Sequence, residues 1–363
     1  MSRRDSFYDE VDDIELPQKR NSKKRSRKKK KKMRKFIFFI IIEIIVLLLL
    51  LGAWYIKSKL DKKQTYNLDN EKLKITPLDL DDYENILVFG VDARDDALKS
   101  GTRSDTMMLV SIDKKNGEIK LTSFYRDTYV YMEYDGQTKY DKLGHAYSYG
   151  GPELALATIN DNFDLDISQF VTVNFTSVAN AINLLGGVEI DVSEKEVDSV
   201  NKYGREVAKV SGKEYTPISG AGKQLLDGYQ AVGYSRIRKI DSDFVRTNRQ
   251  RTVVNAMFEK TKQSDFSTIN KMLDELMPQV LTNLSNGDIV SLVKKVMSYD
   301  ITQGDGFPYN PTIKTVNKAS CVLPTDLYQD VIELHEKVFD MEDYKPTDDV
   351  VTYSDHIKSV IAQ

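Results

Sequence analysis

Residues 36–56, FIFFIIIEIIVLLLLLGAWYI, constrain this chain more than any other segment. One charge, Glu43, interrupts them. At ~1.5 Å rise per residue the run spans roughly 31 Å as a helix, the thickness of a bilayer core. A buried core helix rarely runs this long without polar residues. A cleaved signal peptide has a shorter apolar stretch and a small-residue cleavage site, and no A-x-A-like site follows here. An uncleaved anchor is expected, in which Glu43 faces another helix or is simply tolerated. Residues 19–35 hold 13 Lys/Arg. The positive-inside rule therefore places the N-terminus in the cytoplasm and residues 57–363 outside. A basic run against a membrane is held by anionic headgroups at about 1 kcal/mol per residue. Lipid is thus its expected partner, and nucleic acid is not.

The anchor splits the charge. Residues 1–56 carry 15 Lys/Arg against 7 Asp/Glu, and the remainder carries 37 against 48, so a net of +8 precedes a net of −11. The single cysteine, Cys321, excludes a disulfide scaffold and a CxxC zinc site. His145, His335 and His356 lie far apart, without metal-ligand spacing. The expected division is a basic cytoplasmic tail (1–35), the anchor (36–56), a polar linker (57–82), a folded outer domain (83–340) and a C-terminal tail (341–363).

Within the outer part, 85–91, 106–112 and 118–124 read as strands, the last two joined by a turn at Asn116-Gly117. A helix is expected from Gly151 to about Phe163, with Pro152 in its first turn. A strand follows at 170–174. A helix over 176–185 ends at Gly186-Gly187, and 188–192 returns as a strand. Further helices are expected over 222–232, 243–260 (capped by Ser242 or Asp243), 268–284, 287–299 and 325–338, with a strand over 315–323. Strands alternating with helices indicate an α/β layer fold.

Two clusters can carry chemistry. The first contains Asp92 and Arg94 after the first strand, Arg103 and Asp105 before the second, and Arg126-Asp127 after the third. Open α/β sheets bind ligands at the carboxyl ends of their strands. The second is YSRIRKIDSDFVRTNRQR, residues 234–251, with Arg236, Arg238, Arg246, Arg249 and Arg251. Arginines near a helix N-terminus suit a phosphate, because the guanidinium fork takes two oxygens at once. The bland alternative is solvated arginines paired with surface acids, and aspartates that cap turns. Gly220–Gln224 only faintly resembles a phosphate loop and is expected to lead into a helix. Cys321, in an apolar run, is expected in the core.

The chain resembles the LytR-CpsA-Psr (LCP) family. ILVFGVDAR, TRSDTMMLVSID, LTSFYRDTYV, KLGHAYSYGG, NLLGGVEIDV, LLDGYQAVGYSRIRK and DFVRTNRQR occur in the family's order, behind a basic N-terminus and one anchor, over about residues 85–262. The resemblance implies a central mixed β-sheet flanked by helices. It also implies a membrane phosphotransferase that moves a glycopolymer (teichoic acid, capsule or rhamnose-rich polysaccharide) from polyprenyl pyrophosphate to peptidoglycan. By position, Asp92 and Asp105 match the family's magnesium-associated aspartates, with Mn²⁺ as a substitute. Arg103, Arg126, Arg236, Arg238 and Arg246 match its pyrophosphate-facing arginines. Arg249 and Gln250 match its Arg-Gln pair, and Arg94 is a further substrate-binding candidate. Thr102 stands where the family usually has Gly, and Tyr125 where it often has Pro; neither change removes a charge.

The chemistry agrees with that implication. Arginines neutralise charge on transferred and leaving phosphates, and Mg²⁺ takes one or two carboxylates plus substrate oxygens. Either aspartate can instead accept the acceptor hydroxyl's proton. A polyprenyl chain needs an apolar groove, for which 154–163 and 178–185 are candidate walls. A non-catalytic polyprenyl-phosphate or cell-wall-polymer binding module or regulator, and an extracytoplasmic pyrophosphatase, are the alternative functions.

Overall fold

A computed structural model describes residues 41–92, 98–238 and 240–363. It contains two units, residues 1–58 and 59–363. The described part of the anchor is a helix, α1 (Ile41–Leu60), long and apolar enough to cross a membrane.

The second unit is built on a seven-stranded mixed sheet in the order β1-β10-β7-β2-β3-β4-β11. The central strands are β2 (Tyr83–Val91), β3 (Ser104–Asp113) and β4 (Glu118–Phe124), and β7 (Gln169–Asn174) runs parallel to β2. The β3–β4 turn forms as expected. Asp113 accepts hydrogen bonds from the backbone of Lys115 (2.8 Å) and Asn116 (2.9 Å), and Gly117 takes the positive φ the turn needs. β3 is antiparallel to both neighbours. The ends of β2, β4 and β7 and the start of β3 therefore meet at one edge, which gathers Asp92, Asp105, Arg126 and Phe175.

Side-chain alternation gives the sheet two unlike faces. Leu87, Phe89, Val91, Met107, Leu109 and Phe124 pack beneath α2 (Leu143–Phe163), α9 (Leu327–Phe339) and α10 (Asp348–Ala362) in the main core. Ile86, Met108, Ile112 and Leu121 face α6 (Asp243–Lys262) and α8 (Asn286–Ser298). A satellite core unites α3 (Phe175–Leu184), α4 (Val197–Val210) and α5 (Gly228–Ser235) with the hairpin β8 (Val188–Val192) and β9 (Gly222–Leu226). Hairpins β5 (Tyr129–Tyr134)/β6 (Gln137–Lys142) and β12 (Pro311–Val316)/β13 (Ala319–Pro324) complete the α2 side. The remaining elements are α7 (Phe266–Leu276), β10 (Val280–Thr282), β11 (Asp300–Phe307) and β1 (Gln64–Thr65).

Several expectations change. Gly222–Leu226 is a strand paired with β8, and the helix begins only at Gly228, where Asp227 caps it through the Gln230 backbone. The 268–284 segment breaks at Pro278 into α7 and the strand β10, which lies between β1 and β7. The expected linker is folded: β1 pairs with β10, and Leu73 and Leu80 are buried in the main core. The expected C-terminal tail carries α10, which buries Val350, Tyr353 and Ile357 in the same core. Cys321 is buried there as expected.

Candidate active site

At the strand-end edge, Asp105, Phe175, Tyr203, Arg236, Arg238, Arg246 and Gln250 line a cavity of about 430 Å³. Three arginines against one carboxylate give it a positive lining. β3 supplies Asp105 from its second residue. Arg236 ends α5, Arg238 lies in the following loop, and Arg246 and Gln250 stand one turn apart on α6.

The charges are locked together. Arg126, after β4, bonds Asp105 and lies 3.7 Å from Asp127. Burial pushes the Arg126 guanidinium down, but Asp105, Asp127 and Asp243 outweigh it and raise it above its ordinary value. Arg246, only 2% exposed, bonds Asp243 at 2.6 Å. Burial pushes the Arg246 guanidinium below its ordinary value and the Asp243 carboxyl above its own. The Nε atoms of Arg126 and Arg246 are buried without a hydrogen-bond acceptor. Unsatisfied donors beside an arginine-lined cavity are what an entering phosphate would satisfy. Asp92 is bound by Arg236 at 3.1 Å, and the Arg236 guanidinium lies 5.2 Å from the Phe175 ring centre.

A second cavity, about 380 Å³, continues beneath the first. Phe175 and Gln250 line both. Its walls are apolar: Val88, Gly90 and Val173 from the sheet, Val178 and Ala181 from α3, and a stripe of α6. That stripe is Gln250, Val253, Val254, Met257, Phe258 and Thr261, the i, i+3, i+4, i+7 spacing of one helix face. From Gln250 to Thr261 it runs ~16 Å at the helical rise. The 178–185 segment thus contributes to the wall as expected. The 154–163 segment does not: it packs on the opposite sheet face, where Leu156, Ile159 and Phe163 are core.

Two carboxylates bear on a metal. Asp92 uses Oδ2 on Arg236 and Asp105 uses Oδ1 on Arg126. Among the described residues no group of three or more His, Cys, Asp or Glu could hold an ion by itself. The pair fits Mg²⁺ only where phosphate oxygens complete the shell, which is how this ion usually binds.

The other candidates sort differently. Arg103 is exposed immediately before β3 and lines neither cavity among the described residues. Arg94 lies outside the described residues. Arg249, 2% exposed, is fully engaged elsewhere. It donates to Glu196 at 2.6 Å, to Asp241, and to the Ile237 carbonyl at 3.3 Å. Burial would raise the Glu196 carboxyl, but hydrogen bonds from Ser193 and Arg249 hold it below its ordinary value. Arg249 therefore ties the 236–242 loop to the start of α4 and positions the arginines rather than lining the cavity. Arg251 likewise donates to the Asp305 carbonyl at 3.0 Å. Sequence reasoning missed Phe175, Tyr203, Asp243 and the apolar stripe of α6. The stripe's spacing was the available signal, masked by the charged first turns of the same helix.

A family model for the LytR_cpsA_psr family matches residues 51–322. The chain belongs to this family. Among LytR-CpsA-Psr relatives, it is 32% identical over 237 residues to the polyisoprenyl-teichoic acid–peptidoglycan teichoic acid transferase TagT of Bacillus subtilis, covering 62% of this chain and 69% of TagT. It is 30% identical over 265 residues to the corresponding transferase TagU of Enterococcus faecalis, covering 70% and 80%. The structure of TagT bound to LIIa-WTA superposes with a TM-score of 0.58 at 26% identity, over 74% of this chain and 94% of TagT. TagT with bound octaprenyl pyrophosphate shares the fold, with a TM-score of 0.55 at 24% identity over 76% and 99%.

Proposed function

We propose that the protein is a membrane-anchored phosphotransferase that moves a glycopolymer from a polyprenyl-pyrophosphate carrier to a peptidoglycan hydroxyl on the outer side of the membrane. One observation carries this reading: an arginine-lined cavity joined through Phe175 and Gln250 to an apolar one. A lipid pyrophosphate has that same division into a dianionic head and a hydrocarbon tail. The relatives' names, teichoic acid transferases, support a wall polymer as cargo. The basic run before the anchor supports the outward orientation.

In this reading the polyprenyl chain lies along the α6 stripe, and the pyrophosphate lies among Arg236, Arg238 and Arg246. The acceptor hydroxyl oxygen attacks the glycan-bearing phosphorus. A phosphodiester forms, the P–O–P bond breaks, and polyprenyl phosphate leaves. The hydroxyl's proton passes to Asp92 or Asp105. Arg246 and Arg126 are buried and fixed before substrate arrives, so they stabilise the leaving phosphate without reorganisation. Asp92 and Asp105 are the side chains that would hold Mg²⁺ or Mn²⁺, which would neutralise pyrophosphate oxygens.

The test incubates the full chain in nanodiscs with a polyprenyl-pyrophosphoryl glycan, peptidoglycan oligomers and Mg²⁺. Polyprenyl phosphate and coupled glycan are read by mass spectrometry. Coupled product that disappears in Arg238→Ala and Asp105→Ala supports the transferase. Release without coupling makes the protein a pyrophosphatase. Donor binding without either product makes it a binding module.

A further inference from the structure

The second unit begins at Lys59, three residues after the apolar run ends at Ile56. Its first residues are fastened to one edge of the domain. Leu60 is 2% exposed and packs with Met277, Val280, Leu284 and Ile289. Lys59 and Lys62 both reach Asp274 of α7, at 2.5 and 3.3 Å, and Lys63 bonds Asn286 at the start of α8. β1 then pairs with β10, Gln64 opposite Leu281. The four residue-to-residue steps from Ile56 to Leu60 reach at most ~14 Å even when extended. The edge formed by α7, β10 and the start of α8 is therefore tied to the end of the apolar run by that short length of chain.

That region also leaves apolar side chains uncovered. Phe266, the first residue of α7, is 75% exposed, and α7 buries none of its residues. Val293 and Met297, one turn apart on α8, are exposed as well. Lys271 and Lys294 are exposed on the same two helices, together with Glu275 and with Asp274, whose charge Lys59 and Lys62 offset. Exposed apolar residues beside lysines, on helices tied to the end of the apolar run, have the composition of an interfacial surface. A second protein would need no such tether to the point of membrane exit.

We propose that the α7–α8 edge is seated in the headgroup region of the bilayer that holds the anchor, with Phe266, Val293 and Met297 in contact with the acyl chains. The seating has a consequence for the apolar cavity, which rests on the carrier reading given above. Thr261, Leu276 and Val296 line the cavity at its α7–α8 end. Phe266 follows Thr261 by five residues, and Met297 follows Val296 directly. A polyprenyl chain would pass from bilayer to cavity without crossing water.

The test uses the full chain in phosphatidylglycerol-containing nanodiscs, in a Cys321→Ala background. Nitroxide labels are placed at Phe266→Cys and Met297→Cys, and at Ile313→Cys and Leu225→Cys as exposed controls. Collisions with oxygen, which concentrates in lipid, are compared with collisions with a water-soluble nickel chelate. The seating predicts an oxygen-to-nickel ratio several-fold higher at 266 and 297 than at either control. Equal ratios at all four positions overturn it, and so does shielding of 266 and 297 from both reagents, which would mean that protein covers them. This readout needs no catalysis. A high ratio in a protein that transfers nothing would leave the seating intact and count against the carrier reading alone.

Discussion

On the α2 side of the sheet, Phe89, Phe124, Phe163, Phe170 and Phe307 are each no more than 3% exposed and pack ring against ring, Phe124 on Phe163 at 5.2 Å and Phe163 on Phe307 at 4.7 Å. On the α6 side, Ile86, Met108, Ile112 and Leu121 fill part of the face, but around the cavity the positions are smaller: Val88 and Gly90 on β2, Thr106 on β3, Val173 on β7. There the facing helices leave about 380 Å³ open. Interiors ordinarily fill to crystal-like density, and an unfilled face forfeits dispersion contacts. The α2 face is packed throughout, while the α6 face is packed at one part and open at the cavity beside the arginines.

The widest separation is expected between neighbours on one strand. Phe89→Ala on the filled face should cost about 3–5 kcal/mol in chemical denaturation, and Val88→Ala on the cavity about 1 kcal/mol or less. Comparable losses would erase the distinction between the faces. The arginines of the open side should also divide. Arg238→Ala should lower transfer roughly 10²–10³-fold with an unchanged melting temperature. Arg249→Ala leaves Glu196 buried without its partner and should cost about 3–5 kcal/mol of stability. An Arg249→Ala protein as stable as the parent would remove the positioning role.

Adding bulk sharpens the comparison further. Ala155→Phe, on the buried face of α2, should destabilise by about 1–3 kcal/mol through overpacking. Ala181→Phe fills the cavity and should change stability by less, while weakening capture of a polyprenyl diphosphate in a binding assay.

The smallest effect belongs to the filled side, at Asp330 of α9. Burial pushes its carboxyl up to about 6, against hydrogen bonds from Asn310. The folded state therefore holds this proton more tightly than the unfolded chain. The contribution is present below the ordinary carboxylate value and is lost as pH rises toward 6. Asp330→Asn should be more stable than the parent by ~1 kcal/mol at pH 7.5 and equal to it near pH 4. His335, on the same helix, is pushed by burial down to about 4. Its contribution has the opposite sign and is lost as pH falls from about 6.5. The difference between Asp330→Asn and the parent isolates the carboxyl from it.

Elements with one dominant local signal were legible in the sequence. β4 and β8 have the bounds expected from sequence residue for residue, β8 also burying alternate positions, and α6 begins where Ser242 announces it. Elements defined by partners were not. β9 is a strand only because β8 pairs with it, and β11 reads DITQGDGF, polar and glycine-broken, yet joins the sheet beside β4. α10 was hidden because only a few of its residues enter the core. In the site, Arg236, Arg238 and Arg246 were readable as an arginine cluster near a helix N-terminus, but spacing put Arg249 beside Arg246, and Gln250 entered only through the family resemblance. Arg249 looks the same in sequence and differs only in facing Glu196 and Asp241, carboxylates 53 and 8 residues away.

The central claim is that a lipid pyrophosphate lies with its head among Arg236, Arg238 and Arg246 and its tail along α6. The most direct measurement is photo-crosslinking of the full chain in nanodiscs with a short polyprenyl diphosphate carrying a diazirine at the far end of its tail. Adducts would be mapped by mass spectrometry. The account predicts labels on Val254, Met257, Phe258 or Val296, lost on competition with unlabelled diphosphate. Competed labels on the α2 face, at Leu154 or Ala157, would contradict it.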